Sequence, residues 1–381
     1  MARSKRKTLP PMEAILPIAE RLHSDTRFAG RGITAAFIDA GFYAHPDLTT
    51  PRQRIKAYYD LLHVRSGVEN LASSDVSSWH GMMTSVVAAG NGHLSDGRYK
   101  ALAHEMDVVF VKAGEISRVR HDDITAAIDW VISHRERLGI RILNISCGGD
   151  YEASYLTDRL SQRAEEAVRA GIVVVAAVGN QGHGDKPRVL PPASVPAVIS
   201  VGGLNDEGDP RKGQIRRYWS SFGPTVDGLQ KPELIAPAIW IAAPILPGTP
   251  TKDEAELLAE LDETEDADLH DVLARRPGVS QELDAAKELL PYLLRELVSA
   301  RVRDQKVISG HYKHVDGTSF AAPIVSSVVA QMLEANPHLG PLEVKRVLIE
   351  TAERLPDVPI DRQGWGVVQP AKAVAEAVRR R

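Results

Sequence analysis

The amino-acid sequence predicts a doubly wound α/β fold, with a mainly parallel sheet covered by helices on both faces. Three observations lead there. Residues 32–38, 107–112, 140–146, 171–178 and 195–202 are continuous apolar runs, as strands buried on both faces require, and do not alternate with polar residues. Stretches of helical periodicity separate them, among them residues 123–138 and 155–170. Several runs end in a polar residue, and the carboxyl ends of parallel strands are where such sheets bind ligands.

The chain opens with a basic run, Arg3-Ser4-Lys5-Arg6-Lys7, which reads as a solvated tail. Pro10 and Pro11 interrupt any apolar stretch behind it, so a secretory signal is not expected. No segment has the length and apolarity of a membrane span. The single cysteine, Cys147, leaves no disulfide framework and suits a reducing, cytoplasmic setting. A net charge of −4 gives no reason to expect nucleic acid or an anionic membrane as partner.

The first strand, 32–38, delivers Asp39 at its carboxyl end. His45 and Asp47 flank Pro46 and read as turn chemistry. Residues 52–78 read as irregular and polar, leading to His80-Gly81 and an apolar helix over 82–89. The run 140–146 ends at Ser146-Cys147-Gly148, and 171–178 ends at Gly179-Asn180. Between 251 and 270 nine carboxylates face one lysine, so residues 247–305 read as an acidic helical insertion, in the simplest case a solvated one. The α/β pattern resumes at Lys306 and leads into Asp316-Gly317-Thr318-Ser319-Phe320-Ala321-Ala322-Pro323, where an apolar helix begins. Ser319 then sits at a helix N-terminus, whose free N–H groups favour developing negative charge. Further helices are expected from Pro341 and over 371–379.

Taken singly, Asp39 suits a helix cap, His80 a core histidine, Asn180 a turn and Ser319 an N-cap. Taken together and in order, they read differently. Asp39-Ala40-Gly41, His80-Gly81 and Gly317-Thr318-Ser319-Phe320-Ala321-Ala322-Pro323 resemble the three catalytic blocks of the subtilisin-like serine proteases, in the order Asp, His, Ser. Residues 176–180, the run Lys231-Pro232-Glu233-Leu234-Ile235-Ala236-Pro237, and Gly364-Trp365-Gly366 match supporting blocks, and the intracellular bacterial branch is the nearest in character.

The resemblance implies a seven-stranded, mainly parallel sheet in a peptidase domain over residues 32–381, after an N-terminal extension over 1–31. It implies a serine endopeptidase with Ser319 as nucleophile, His80 as base and Asp39 orienting it. The oxyanion hole would combine the Asn180 amide with the Ser319 N–H, and Ser146, Cys147 and Gly148 would pair with extended substrate. Protein or peptide is the implied substrate, and the chemistry requires no cofactor. Structural calcium occurs in the family; Asp47, Asn91 and Asp96 bear oxygen but form no recognised loop. Val189-Leu190, near the floor of a primary pocket, suggests an apolar preference, and Ile15-Leu16-Pro17-Ile18 suggests a short inhibitory peptide lying in the cleft.

The chain departs from the family pattern at Ala40, Met82-Met83, Ala238 and Phe320, which bears on packing around the histidine and substrate pockets. A competing reading is a binding module on the same scaffold, with a regulatory protein docked on the insertion. An intact Asp39, His80, Asn180 and Ser319 set argues against it. An esterase of another fold is disfavoured because no G-x-S-x-G elbow surrounds Ser319.

Overall fold

In the computed structural model, residues 15–116, 118–184, 187–212 and 215–381 are described. The basic run at residues 3–7 lies outside them. Seven parallel strands form the sheet: β1 (Thr34–Asp39), β2 (Ile55–Asp60), β3 (Asp107–Lys112), β4 (Ile140–Ile145), β5 (Val173–Ala177), β6 (Ile199–Asn205) and β7 (Leu234–Pro237), in the spatial order β7-β6-β5-β4-β1-β3-β2. Short antiparallel strands at Arg65–Ser66 and Arg216–Arg217 extend it to nine. The expected parallel sheet is therefore present, with two antiparallel additions at its margins.

The apolar runs are explained by burial on both faces. Ala35 and Phe37 of β1 enter one core cluster while Ala36 and Ile38 enter the other. Helices α1 (Ser78–Ala89) and, later in the chain, Thr318–Ala335 cover the first face. Helices α2 (His121–Leu138) and α3 (Arg159–Arg169) cover the second. One segment read as irregular is a strand. Ile55-Lys56-Ala57-Tyr58-Tyr59-Asp60 lies next to the sheet margin with Lys56 exposed, and Lys56 together with the buried Asp60 hides its apolar character.

The stretch expected to be an acidic insertion holds four helices, α4 (Pro250–Glu263), α5 (Leu269–Arg275), α6 (Gln281–Ala285) and α7 (Pro291–Gln305), around a separate core that includes Leu258, Leu261, Leu273 and Leu294. It joins the two strands of a hairpin, β8 (Ile241–Pro244) and β9 (Tyr312–Val315). The acidic run is partly neutralised from within. Arg301 pairs with Glu254, Arg276 reaches Glu256 and Glu260 at 3.4 and 3.5 Å, and Arg295 meets Asp266 at 2.7 Å. The hairpin leads directly into α8 (Thr318–Ala335), followed by α9 (Pro341–Thr351) and α10 (Pro370–Arg379).

Candidate active site

Asp39 is the last residue of β1 and His80 the third of α1, and two glycines bring these elements together. A Cβ on Gly81 would lie 2.2 Å from the Gly41 carbonyl oxygen, and one on Gly41 2.8 Å from the Ser77 backbone. Only bare backbone permits that approach. As a result Asp39 Oδ2 accepts a hydrogen bond from His80 Nδ1 at 2.8 Å, and Asp39 Oδ1 accepts from the Ala40 N–H at 2.8 Å. A carboxylate partner at Nδ1 places the ring proton there and leaves Nε2 an acceptor. Nε2 has no partner among the described residues. Burial of the ring works against its charged form, but the Asp39 charge and hydrogen bond outweigh it, so the His80 pKa is raised above its usual 6.5.

Ser319 is the second residue of α8, and its placement follows from Gly317 and Pro323. Gly317 has φ +143°, a conformation strained for any residue with a side chain, and it turns the chain from β9 into the helix. Pro323 has no N–H, so the Ser319 carbonyl four residues earlier lacks its intrahelical donor. Ser146 Oγ supplies one, donating to Ser319 O at 2.9 Å. Ser146 Oγ in turn accepts from Asn144 Nδ2 at 3.0 Å, and Asn144 Oδ1 accepts from Ser326 Oγ at 3.0 Å. This buried relay pins the helix start to the end of β4. Ser319 Oγ donates to the Ser146 carbonyl at 3.1 Å rather than to His80.

Asn180 follows β5, and its amide is oriented by the same helix. Its Oδ1 accepts from the Thr318 N–H at 2.9 Å, which leaves Nδ2, a donor, without a partner among the described residues. Thr318 Oγ1 reciprocates by accepting from the Gly179 N–H at 3.2 Å. Asn180, Ser319, Ser146, Cys147, Gly148 and Leu190 line one cavity of about 230 Å³. Val189 is buried and does not line it, so of the expected apolar pair only Leu190 reaches the cavity, and Arg188 lines it as well.

A second depression, lined by Asp39, His80, Val119, Cys147 and Gly148, continues along the same edge. Neither Cys147 nor Gly148 has a backbone hydrogen bond to another described residue, so this edge is free to pair with an extended chain. Burial, with a smaller contribution from the Asp39 charge, pushes the Cys147 thiol well above its usual pKa, so it is no thiolate nucleophile.

The structure thus gathers Asp39, His80, Ser319, Asn180, Ser146, Cys147 and Gly148 at the carboxyl ends of β1, β4 and β5. The departures from the family pattern pack without conflict. Met82 and Phe320 are in the core, Phe320 with its ring centre 6.0 Å from that of His80, and Ala238 occupies space left by Gly203. Sequence reasoning missed Asn144, Ser326 and the part played by Pro323, because a partner for the Ser319 carbonyl is visible only once the strand and helix meet.

One expectation is corrected. Residues 15–18 do not lie in the cleft. Leu16 N–H donates to Gly208 O at 2.9 Å, the Ile15 side chain packs on Gly208, and Arg21 is buried against Asp206 and the carbonyls of Ile239 and Trp240. An arginine with such partners anchors the segment there. Of the oxygen-bearing residues considered for calcium, Asp47 and Asn91 are engaged by protein groups, and the Asn91 and Leu94 N–H groups donate to Asp47 O and Oδ1 at 3.0 and 3.2 Å. The Asp47 carboxylate accepts from Tyr312 Oη at 2.9 and 2.8 Å, and the Asn91 amide is committed to Thr50 O and the His93 N–H. Among the described residues no group of three His, Cys, Asp or Glu side chains could hold a metal.

A fold with a parallel sheet and this cluster at its carboxyl edge defines a hydrolase of the subtilisin-like class. The Subtilase family profile matches residues 30–366, and the chain belongs to that family of serine proteases. It is 28% identical over 368 residues to Serine protease AprX of Bacillus subtilis (strain 168), covering 93% of this chain and 69% of that protein. It is 28% identical over 181 residues to the Major intracellular serine protease of the same organism, covering 46% of this chain and 52% of the relative. The solved structure of the Clostridium perfringens CspB protease shares the fold, with a TM-score of 0.68 at 15% identity, over 96% of this chain and 98% of that one. Among the described residues no helix is long and apolar enough to cross a membrane.

Proposed function

We propose that this chain is a serine endopeptidase acting through Ser319, His80 and Asp39. The observation that carries the reading is the 2.8 Å bond from His80 Nδ1 to Asp39 with Nε2 left open, in the cleft that also holds Ser319. Ser319 Oγ turns from the Ser146 carbonyl toward His80 Nε2, loses its proton there and attacks the scissile carbonyl carbon. The oxyanion that forms accepts hydrogen bonds from Asn180 Nδ2 and from the Ser319 N–H, whose place in the first helical turn denies it an intrahelical acceptor. His80 then protonates the departing amine, the C–N bond breaks, and the acyl group stays on Ser319. Water, deprotonated by His80, attacks the ester and releases the acid. Asp39 holds the ring and favours the imidazolium. The substrate chain lies against Cys147 and Gly148, and the protein works in the cytoplasm on proteins or peptides.

The test is hydrolysis of a casein-derived peptide mixture by wild type, His80→Ala and Asn180→Ala. Cleavage by wild type, abolished in the first variant and reduced in the second, is expected. Equal cleavage by all three would overturn the assignment.

A further inference from the structure

A third depression, distinct from the two that flank Ser146–Gly148, lies between the insertion and α1. It has a volume of about 360 Å³ and is lined by Trp79, Met83, Leu246, Pro250, Val315 and Lys313, among others. Its walls come from three parts of the chain: the start of α4, the β8–β9 hairpin that carries the insertion, and the helix that carries His80. None of residues 146–148 or 177–190 reaches it, so it lies apart from the cavity beside Asn180. Trp79 connects it to the cleft, because the same side chain lines the depression that holds Asp39 and His80.

That connection identifies the occupant. In the proposed reaction His80 hands its proton to the departing amine, so the leaving peptide must emerge beside His80 and its neighbour Trp79. Val315 and Lys313 belong to the strand running into Ser319 from this side. The groove is mostly apolar, with Thr249 and Thr251 at the start of α4 and one charged residue, Lys313, whose Nζ makes no hydrogen bond or ion pair among the described residues. Glu254 acts on it only from a distance, and the neighbouring Lys306 is already committed to Asp316. A half-buried ammonium without a partner, on an apolar wall, favours an incoming carboxylate.

We propose that this groove is a subsite for the leaving-group half of the substrate, receiving a large apolar side chain and, at Lys313, a carboxylate. The acidic insertion is then a specificity element that supplies the outer wall. The carboxylate comes either from an Asp or Glu side chain or from the C-terminus of the substrate; the chemistry at Lys313 is the same. This rests on the endopeptidase reading, and its test separates the two.

The full-length protein is incubated with a proteome-derived peptide library and the cut sites are read by mass spectrometry. Wild-type cut sites should be enriched, within three residues beyond the scissile bond, in Leu, Ile, Met or Phe and in a carboxylate. Lys313→Glu should lower the carboxylate preference by about tenfold, as loss of one ion pair worth about 1.4 kcal/mol would. Lys313→Met should lower it while keeping the apolar preference. Val76→Asp, at a groove residue 67% exposed and therefore tolerant of substitution, should weaken the apolar preference instead. Thermal melts establish that each variant folds. Paired synthetic peptides ending in acid or amide, or carrying internal Asp or Asn, tell the two carboxylate sources apart. A wild-type profile that is selective before the scissile bond but flat beyond it, or one unchanged in the variants, overturns the subsite and leaves the endopeptidase standing. No cleavage and no labelling by a fluorophosphonate overturns both.

Discussion

The contact between Ser146 and Ser319 supports a quantitative prediction about what holds the nucleophile in place. Ser146→Ala removes the donor to the Ser319 carbonyl, which Pro323 leaves without an intrahelical bond, and strips Asn144 Nδ2 of its acceptor. Each buried polar group left unsatisfied costs about 1–3 kcal/mol, so losing partners for two of them should destabilise the fold by about 2–6 kcal/mol. For 381 residues at about 2.1 cal/mol/K per residue, that is a fall in Tm of about 2.5–7.5 °C. The decisive comparison is with Pro323→Ala, which restores an N–H able to reach Ser319 O. In that background Ser146→Ala should cost at least about 1 kcal/mol less, a coupling that urea denaturation resolves. All four proteins carry Ser319→Ala to prevent self-digestion. Additive effects of the two substitutions, to within about 0.5 kcal/mol, would refute the account of how the helix start is anchored.

Further outcomes follow from the site. Because the His80 pKa is raised by Asp39 and catalysis needs the neutral ring, kcat/KM should climb with pH through an inflection above 6.5. The same shift makes the His80–Asp39 pair contribute stability that is full below 6.5 and is lost as pH rises through the folded-state value. Asp39→Asn should move the kinetic inflection downward and cut kcat by roughly 10⁴-fold, the loss known when this role is removed in another serine protease; an unmoved inflection would contradict the pairing. Asn180→Ala should lower kcat by about 10²–10³-fold with KM nearly constant, a magnitude taken from subtilisin rather than worked from these distances, and initial-rate kinetics would check it. Cys147 should resist iodoacetamide at pH 8 in the folded protein and react fully in urea, as mass spectrometry would show, since burial keeps its thiol protonated.

The parts of this architecture that reside in local pattern could be read in advance. β1, β3, β4 and β5 are apolar on both faces, so their runs announce buried parallel strands, and the polar residues that end β1, β4 and β5 mark the rim where the site forms. β2 escaped because Lys56, exposed near the sheet margin, and Asp60, buried at the strand's end, interrupt its pattern. The acidic run over residues 251–270 suggested a solvated face, but part of its charge is neutralised by Arg276, Arg295 and Arg301, which stand further along the chain and meet it only after folding. The docking of residues 15–21 on Asp206 and Gly208, the relay through Asn144 and Ser326, and the groove at Lys313 each depend on elements distant in sequence. Chain order alone carries no signal for them.

The central claim is that Ser319 is an activated nucleophile, and active-site labelling addresses it most directly. Wild type, Ser319→Ala and His80→Ala are treated with a fluorophosphonate, and intact and peptide mass spectra locate any adduct. One adduct per wild-type molecule, on Ser319, with none on either variant, is the predicted result. A folded wild type that takes no label, or one that takes it on another residue, would contradict the account.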